Sequence, residues 1–293
     1  MGVMMGPKEI LMKTPFCNML RSRRQYIVLI LCLFIIVVQW NQLSQLIISA
    51  PWNMRRIESV EVKHKWTGSP YLTPSFKVEP KGSDYSTASF VTFVLSSYSN
   101  IEKRKNIRHI FTELFLNTSN GRSKLFFVIG DPTDQHSDDD IRKVKDEIDV
   151  YGDVLQVNLQ DSTENLSHKS IFALYWTLEN CKRVKLTARI NDDYDSIEKE
   201  MFRTMTYSQE LQLSGVILCG ELKRFMFVIG INYENESFPA YCDGRKGTYI
   251  TTDVIRMILE TAKEKDTFAI EDIYVSGLLR LEKGVQIAEI IMN

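Results

Sequence analysis

Between Phe90 and Asn191 the hydrophobic period of the chain switches repeatedly, and that alternation restricts the fold more than any other feature. Phe90-Val-Thr-Phe-Val-Leu95 is a short apolar run rich in β-formers and predicts a strand. From Ile101 to about Leu116 a basic segment passes into an apolar one and predicts a helix. Leu125-Phe-Phe-Val-Ile129 predicts a second strand, stopped at Gly130-Asp-Pro132. Ser137 is placed to cap a helix in which Ile141, Val144 and Ile148 recur at helical spacing. Val154-Leu-Gln-Val157 predicts a third strand. Glu164 to Cys181 predicts a helix with Ile171, Leu174 and Leu178 on one face, and Val184 to Ile190 a fourth strand. Strands separated by helices at this spacing predict an α/β fold, a parallel doubly wound sheet covered on both faces. The second half is less regular. Val216-Ile-Leu218 and Phe225-Met-Phe-Val-Ile229 predict strands, Asp253 to Lys263 a helix, and Glu271-Asp272 opens the last one.

The fourth strand delivers Arg189-Ile-Asn-Asp-Asp-Tyr-Asp195 to its carboxyl end. In open α/β sheets that edge is where ligands bind. Two adjacent carboxylates and an amide oxygen form a hard, oxygen-rich set suited to Mg²⁺ or Mn²⁺ rather than zinc. An Asx-rich turn is the alternative reading of the same residues. With 36 basic against 37 acidic residues in 293, charge gives no argument for a nucleic-acid partner. His64, His109, His136 and His168 share no spacing that points to a metal site.

The N-terminal region predicts a membrane anchor. No residue from Gln25 to Met54 is charged, and Tyr26 to Trp40 is almost purely aliphatic. Residues 25–48 read as a single signal anchor, with a cleaved signal peptide as the rival reading. Arg21, Arg23 and Arg24 precede it, which places residues 1–24 in the cytosol and the body in a lumen. A short span suits a thin early-secretory membrane. Residues 49–87 carry Pro51, Pro70, Pro74 and Pro80 and read as a stem, leaving 88–293 as the lumenal domain. Sequons at Asn117, Asn165 and Asn235 agree with that topology. Cys181, Cys219 and Cys242 allow one internal disulfide and one leftover thiol, without fixing which.

Several blocks, taken in order, resemble the β1,3-galactosyltransferase family, which also contains β1,3-N-acetylglucosaminyltransferases. Lys103-Arg-Lys-Asn-Ile-Arg108 is similar to its arginine-rich helix start. Phe126-Phe-Val-Ile-Gly130 is similar to its "F-x-x-G" strand. Tyr151-Gly-Asp-Val-Leu155, Asp161-Ser and Asn165-Leu-Ser-His-Lys169 follow, then Trp176 and Cys181 at the family's spacing. Arg189 to Asp193 resembles "K-x-DDD", Phe238 to Gly244 resembles "YP-x-Y-C-x-G", and Glu271-Asp-Ile-Tyr-Val275 resembles "EDVYV".

The resemblance implies a type II Golgi membrane enzyme with a GT-A-type, Rossmann-like mixed sheet. It implies transfer of galactose or N-acetylglucosamine from UDP-galactose or UDP-N-acetylglucosamine to a glycoprotein or glycolipid glycan, with inversion. It places a Mn²⁺ or Mg²⁺ ligand at Asp193, aided by Asn191, which stands where the family has its first Asp. It gives Asp192 to the ribose or a metal-bound water, the general base to Asp272, and orienting support to Glu271. Arg104 and Arg108 are expected to meet the uridine or diphosphate, with a solvated helix face as the alternative. Lys169 is expected to position the nucleotide, and Tyr241 to offer an aromatic platform in the sugar or acceptor pocket. Trp176 is expected in the core. The turn Gly244 to Tyr249 is about two residues longer than the family's, and no histidine follows His168 to match the one that the family's tail supplies. A catalytically weak relative that binds nucleotide-sugar or glycan, or assists another transferase, is the second functional class.

Overall fold

The run Phe90–Leu95, apolar but for Thr92, belongs in a sheet interior, and all six residues are buried there. A computed structural model describes residues 53–56, 65–81, 85–113, 122–193, 213–224, 233 and 237–291. Its elements, in chain order, begin with β1 (Asn53–Arg56), β2 (Phe76–Val78), β3 (Phe90–Leu95), α1 (Ile101–Phe111), β4 (Ser123–Asp131) and α2 (Asp138–Tyr151). β5 (Val154–Gln160), α3 (Leu166–Asn180) and β6 (Leu186–Asn191) complete the first half. The second half holds β7 (Val216–Cys219), β8 (Leu222–Lys223), β9 (Tyr241–Cys242), β10 (Thr248–Thr251) and α4 (Thr252–Glu264). Last come α5, a π-helical stretch Ile273–Leu279 running on through Arg280–Glu282, and β11 (Gln286–Ile291). The predicted anchor, and the predicted strand Phe225 to Ile229, lie outside the described residues. No helix among the described residues is long and apolar enough to cross a membrane.

Nine strands pair in the order β1-β11-β7-β10-β6-β3-β4-β5-β2, and β8 and β9 form a separate two-stranded ribbon. The predicted parallel sheet holds for its centre, where β6, β3, β4 and β5 are parallel neighbours. It is corrected beyond the centre: β10 runs antiparallel to both β6 and β7, and β2 and β1 close the two edges antiparallel, while β11 lies parallel to β7. The chain enters β10 from the separate β8–β9 ribbon through the tight turn Asp243–Gly247. Gly247 takes φ +84° in that turn, the left-handed region that favours glycine.

Among the parallel strands β3 to β6, chain order and sheet order diverge at one place. The chain steps outward from β3 through β4 to β5, then crosses back to lay β6 on the other side of β3. The crevice at the carboxyl ends of β3 and β6 is therefore the topological switch point.

Helix ends follow the sequence signals. Ser137 Oγ accepts from the Asp140 N–H at 3.2 Å while Asp140 returns a bond to the Ser137 N–H, and Gly152 closes the helix at φ +61°. Beneath the sheet, Trp176 meets Phe126 at 4.8 Å and Tyr85 at 5.1 Å, edge-on, and gives its Nε1–H to Glu79. Trp176 is thus a core residue, as expected. Cys219 and Cys242 form the disulfide, and Cys181 is the buried free thiol. Of the sequons, Asn117 and Asn235 lie outside the described residues. At Asn165 the acceptor side chain donates to the Gln160 carbonyl, and the fully buried Ser167 gives its hydroxyl to the Phe268 carbonyl. That sequon is closed in the folded protein.

Candidate active site

A cleft of about 740 Å³ opens over the carboxyl ends of the parallel strands. Leu95 to Ser97 line it from β3, Gln160 and Asp161 from β5, and Asn191, Asp192 and Asp193 from β6. Its floor is tied together by Asp161. That carboxylate takes the Gly130 N–H at 3.0 Å, the Tyr98 N–H at 2.5 Å and the Lys169 ammonium at 2.7 Å. Lys169 also donates to the Ser96 carbonyl at 2.8 Å and is almost wholly buried. Burial pulls its pKa down, and Asp161 opposes that shift. Lys169 therefore braces three strand ends from beneath the cleft. Gly130 is required here, because a Cβ would come within 2.7 Å of the Asp161 backbone.

The three residues of the Asn-Asp-Asp run have separate fates. Asp192 turns back to β3: it accepts from Ser96 Oγ at 2.9 Å and Asn100 Nδ2 at 2.7 Å, and pairs with Lys103 at 3.3 Å. Its oxygens are committed to holding the strand ends. Asp193 is exposed at the mouth, and Asn191 is half-buried. A carboxylate and an amide oxygen are the right donors for Mg²⁺ or Mn²⁺, whose remaining positions are ordinarily filled by substrate phosphates and water. Among the described residues no three His, Cys, Asp or Glu side chains converge on one point. The donor set fits a cation held jointly with a diphosphate.

Arg104 and Arg108 are corrected from their expected role. Arg104 is fully buried, and its guanidinium is used up by Glu147, Ser96 Oγ and the carbonyls of Ser97 and Tyr98. Arg108 pairs with Asp153 at 2.8 Å and Glu147 at 2.7 Å, between the rings of Phe127 and Tyr151. Neither faces solvent along the helix, and neither has a guanidinium to offer a nucleotide. The basic helix start is an internal brace.

A second cluster lies one step back along β6. Arg189 and Asn191 are two apart on a strand and so share a face. Arg189 is 2% exposed, and its guanidinium pairs with Glu271 through Nη2 and with Asp272 Oδ1 through Nη1 at 2.8 Å. Asp272 Oδ2 accepts the Gly244 N–H at 3.0 Å. Burial first, and the adjacent Asp272 carboxylate after it, push Glu271 up to about 8, with Arg189 pulling the other way. Arg189 itself stays cationic: burial lowers it, and the two carboxylates outweigh that. Tyr241, half-buried on β9, feels Asp272 and Asp243 electrostatically and is raised, chiefly by burial. Ser276 fixes the register of β9 against α5, accepting the Cys242 N–H at 2.9 Å and donating to the Asp272 carbonyl at 2.7 Å.

The structure thus sets Lys169, Asn191, Asp192 and Asp193 around the cleft, and gathers Glu271, Asp272 and Tyr241 in the neighbouring cluster, joined by β6. Asp161 and Arg189 were not assigned roles from sequence. A charged residue inside an apolar strand, as Arg189 is, demands a buried carboxylate partner, and that was the available signal.

The galactosyltransferase family matches residues 102–290. The chain belongs to that family. It is 23% identical over 199 residues to beta-1,3-galactosyltransferase bre-2 of Caenorhabditis elegans, covering 61% of this chain and 54% of that one. It is 26% identical over 204 residues to UDP-GalNAc:beta-1,3-N-acetylgalactosaminyltransferase 1 of Rattus norvegicus, covering 66% and 60%. With human beta-1,3-galactosyltransferase 1 it shares 21% over 145 residues, 47% of this chain and 44% of the relative. The chain spans about half the length of the curated relatives it matches.

Proposed function

We propose that this galactosyltransferase-family chain transfers galactose, or a 2-acetamido relative of it or of glucose, from a UDP-sugar to a glycan hydroxyl with inversion. The observation that carries the reading is Asp272. It is a carboxylate with 23% of its side chain exposed, paired with Arg189 and accepting the Gly244 N–H, beside the strand whose carboxyl end lines the cleft.

In this reading the donor's diphosphate lies over the carboxyl ends of β3 and β6, and Asp193 and Asn191 hold Mn²⁺ or Mg²⁺ together with it. The cation, when bound, offsets the charge that develops on the departing diphosphate. Asp272 takes the proton of the acceptor hydroxyl as its oxygen bonds to the anomeric carbon. The bond from that carbon to UDP breaks, its electron pair leaving on the phosphate. Asp192 and Lys169 keep the strand ends in register, so that the reacting groups meet without reorganisation. A membrane anchor at 25–48 with a lumenal body is part of the proposal, supported by the uncharged run and its arginine flank.

The test is UDP release by the full chain with UDP-galactose, UDP-N-acetylgalactosamine and UDP-N-acetylglucosamine, with and without Mn²⁺. Turnover abolished by Asp272→Asn supports the reading. UDP binding without turnover on any donor supports the second one, a nucleotide-sugar-binding relative, which Asn191 in place of an acidic residue favours.

A further inference from the structure

We propose that Arg189 is the positioning residue for Asp272: one guanidinium, shared with Glu271, holds the Asp272 carboxylate by an ion pair against the β9–β10 turn. The proposal deepens the transferase reading and rests on it for the identity of the base.

The geometry is unusually closed. Asp272 is gripped from two elements at once, through Oδ1 by Arg189 of β6 and through Oδ2 by the Gly244 N–H of the β9–β10 turn. A Cβ at Gly244 would stand 1.5 Å from Arg189 Nη1 and 2.5 Å from Asp272 Oδ1, so the guanidinium occupies the space a side chain there would need. The turn therefore packs its bare backbone on the ion pair, and any larger residue displaces it. Glu271 and Asp272 are adjacent in sequence and begin α5, yet their burial differs: the Glu271 side chain is 2% exposed and that of Asp272 23%.

Burial separates their roles. Arg189 meets two carboxylates in ion pairs and feels Asp243 as a third. Asp243 in turn pairs with Arg245 at 3.0 and 3.2 Å and with Lys223 of β8 at 3.4 Å, Tyr241 lies within electrostatic reach on β9, and Ser170 faces Glu271 from α3. Burial pushes the Glu271 carboxyl up, and Asp272, the more open of the two, is the one a substrate can reach. Arg189 acts only through Asp272 and touches no reacting atom.

The experiment compares wild type with R189M, R189K, E271Q, D272N and the R189M/D272N double variant, all as full chains. In kinetics, R189M should lower kcat on the order of a hundredfold, with donor KM little changed. R189K should recover about a tenth of the lost rate or more, because an ammonium keeps the charge but cannot fork to both carboxylates. Adding R189M to D272N should cost nothing further. Full additivity with D272N, or no recovery in R189K, overturns the proposal.

Infrared spectroscopy supplies a readout that needs no turnover. The difference spectrum between wild type and D272N isolates the Asp272 side-chain stretch, and loss of its guanidinium partner in R189M should shift that stretch. If wild type turns over no UDP-sugar while the stretch shifts as stated, the transferase reading fails and the positioning of Asp272 by Arg189 stands. If R189M leaves the stretch unmoved, the positioning fails whatever the activity. Should R189M not fold, the same comparison on R189K decides the matter: an Asp272 stretch unmoved by the exchange of guanidinium for ammonium overturns the proposal.

Discussion

Two buried arginine–carboxylate clusters flank the centre of the sheet, and they are built to opposite ends. Behind the cleft, Arg104 and Arg108 face Glu147 and Asp153, two cations against two anions, with the Arg104 donors all engaged. At the end of β6, Arg189 alone faces Glu271 and Asp272, one cation against two anions, with one of those carboxylates partly open. A matched network holds elements in place and has nothing left over for chemistry. An unmatched one carries a charge that a substrate can use. The difference teaches that a basic motif is read by what surrounds it: the arginine-rich start of α1, the most conspicuous charged stretch of the body, belongs to the first kind.

The largest effect that can break this contrast is on turnover. Asp272→Asn should reduce kcat by roughly 10²- to 10⁴-fold while UDP binding, followed by calorimetry, stays within error. Next is Arg104→Ala, which leaves buried Glu147 with Arg108 as its remaining cation and without its three hydrogen bonds from Arg104. It should destabilise the fold by about 3–5 kcal/mol in urea denaturation, with turnover per folded molecule retained. Asp193→Ala should weaken UDP binding in Mn²⁺ by roughly ten- to a hundredfold, the scale of one lost charge-assisted contact, and weaken it less in the presence of a chelator.

A pH scan sharpens the same comparison. Glu271 is raised from 4.5 to about 8 on folding, so between those values the native state binds more protons than the unfolded one. Stability contributed there is full below the lower value and is lost as pH climbs through the higher. The melting temperature should fall across that window, and Glu271→Gln should flatten the fall. The smallest effect is expected at the exposed Asp139–Arg142 pair on α2, where Arg142→Ala should leave the urea midpoint unchanged within error.

Much of this architecture was readable from residue order. The period changes between Phe90 and Asn191 gave the four parallel strands and their helices within a few residues at each end, because β3, β4 and β6 are buried along nearly their whole length and are mostly apolar. Ser137 marked a helix start by local chemistry alone. The antiparallel β10 escaped that reasoning: Thr248–Thr251 is four residues long, two of them threonines, and its partners β6 and β7 are distant in sequence. The carboxyl-edge position of Asn191 to Asp193 was likewise legible, since it follows from strand direction. The partnership of Arg189 with Glu271 spans 82 positions and the disulfide 23, and pairing across such distances is settled by tertiary packing, which no local pattern encodes. Arg104 and Arg108 misled for the same reason, as Glu147 and Asp153 lie on the far side of an intervening strand in sequence.

The matched cluster behind the cleft has an evolutionary consequence. Losing one of its four charges strands another in a dry interior, whereas exchanging a pair together for apolar residues of similar volume is often neutral. Arg104 and Glu147 should therefore drift as a unit. Among relatives of this chain they are expected to persist together or vanish together, and the route between those two states passes through a poorly folded intermediate that few lineages survive.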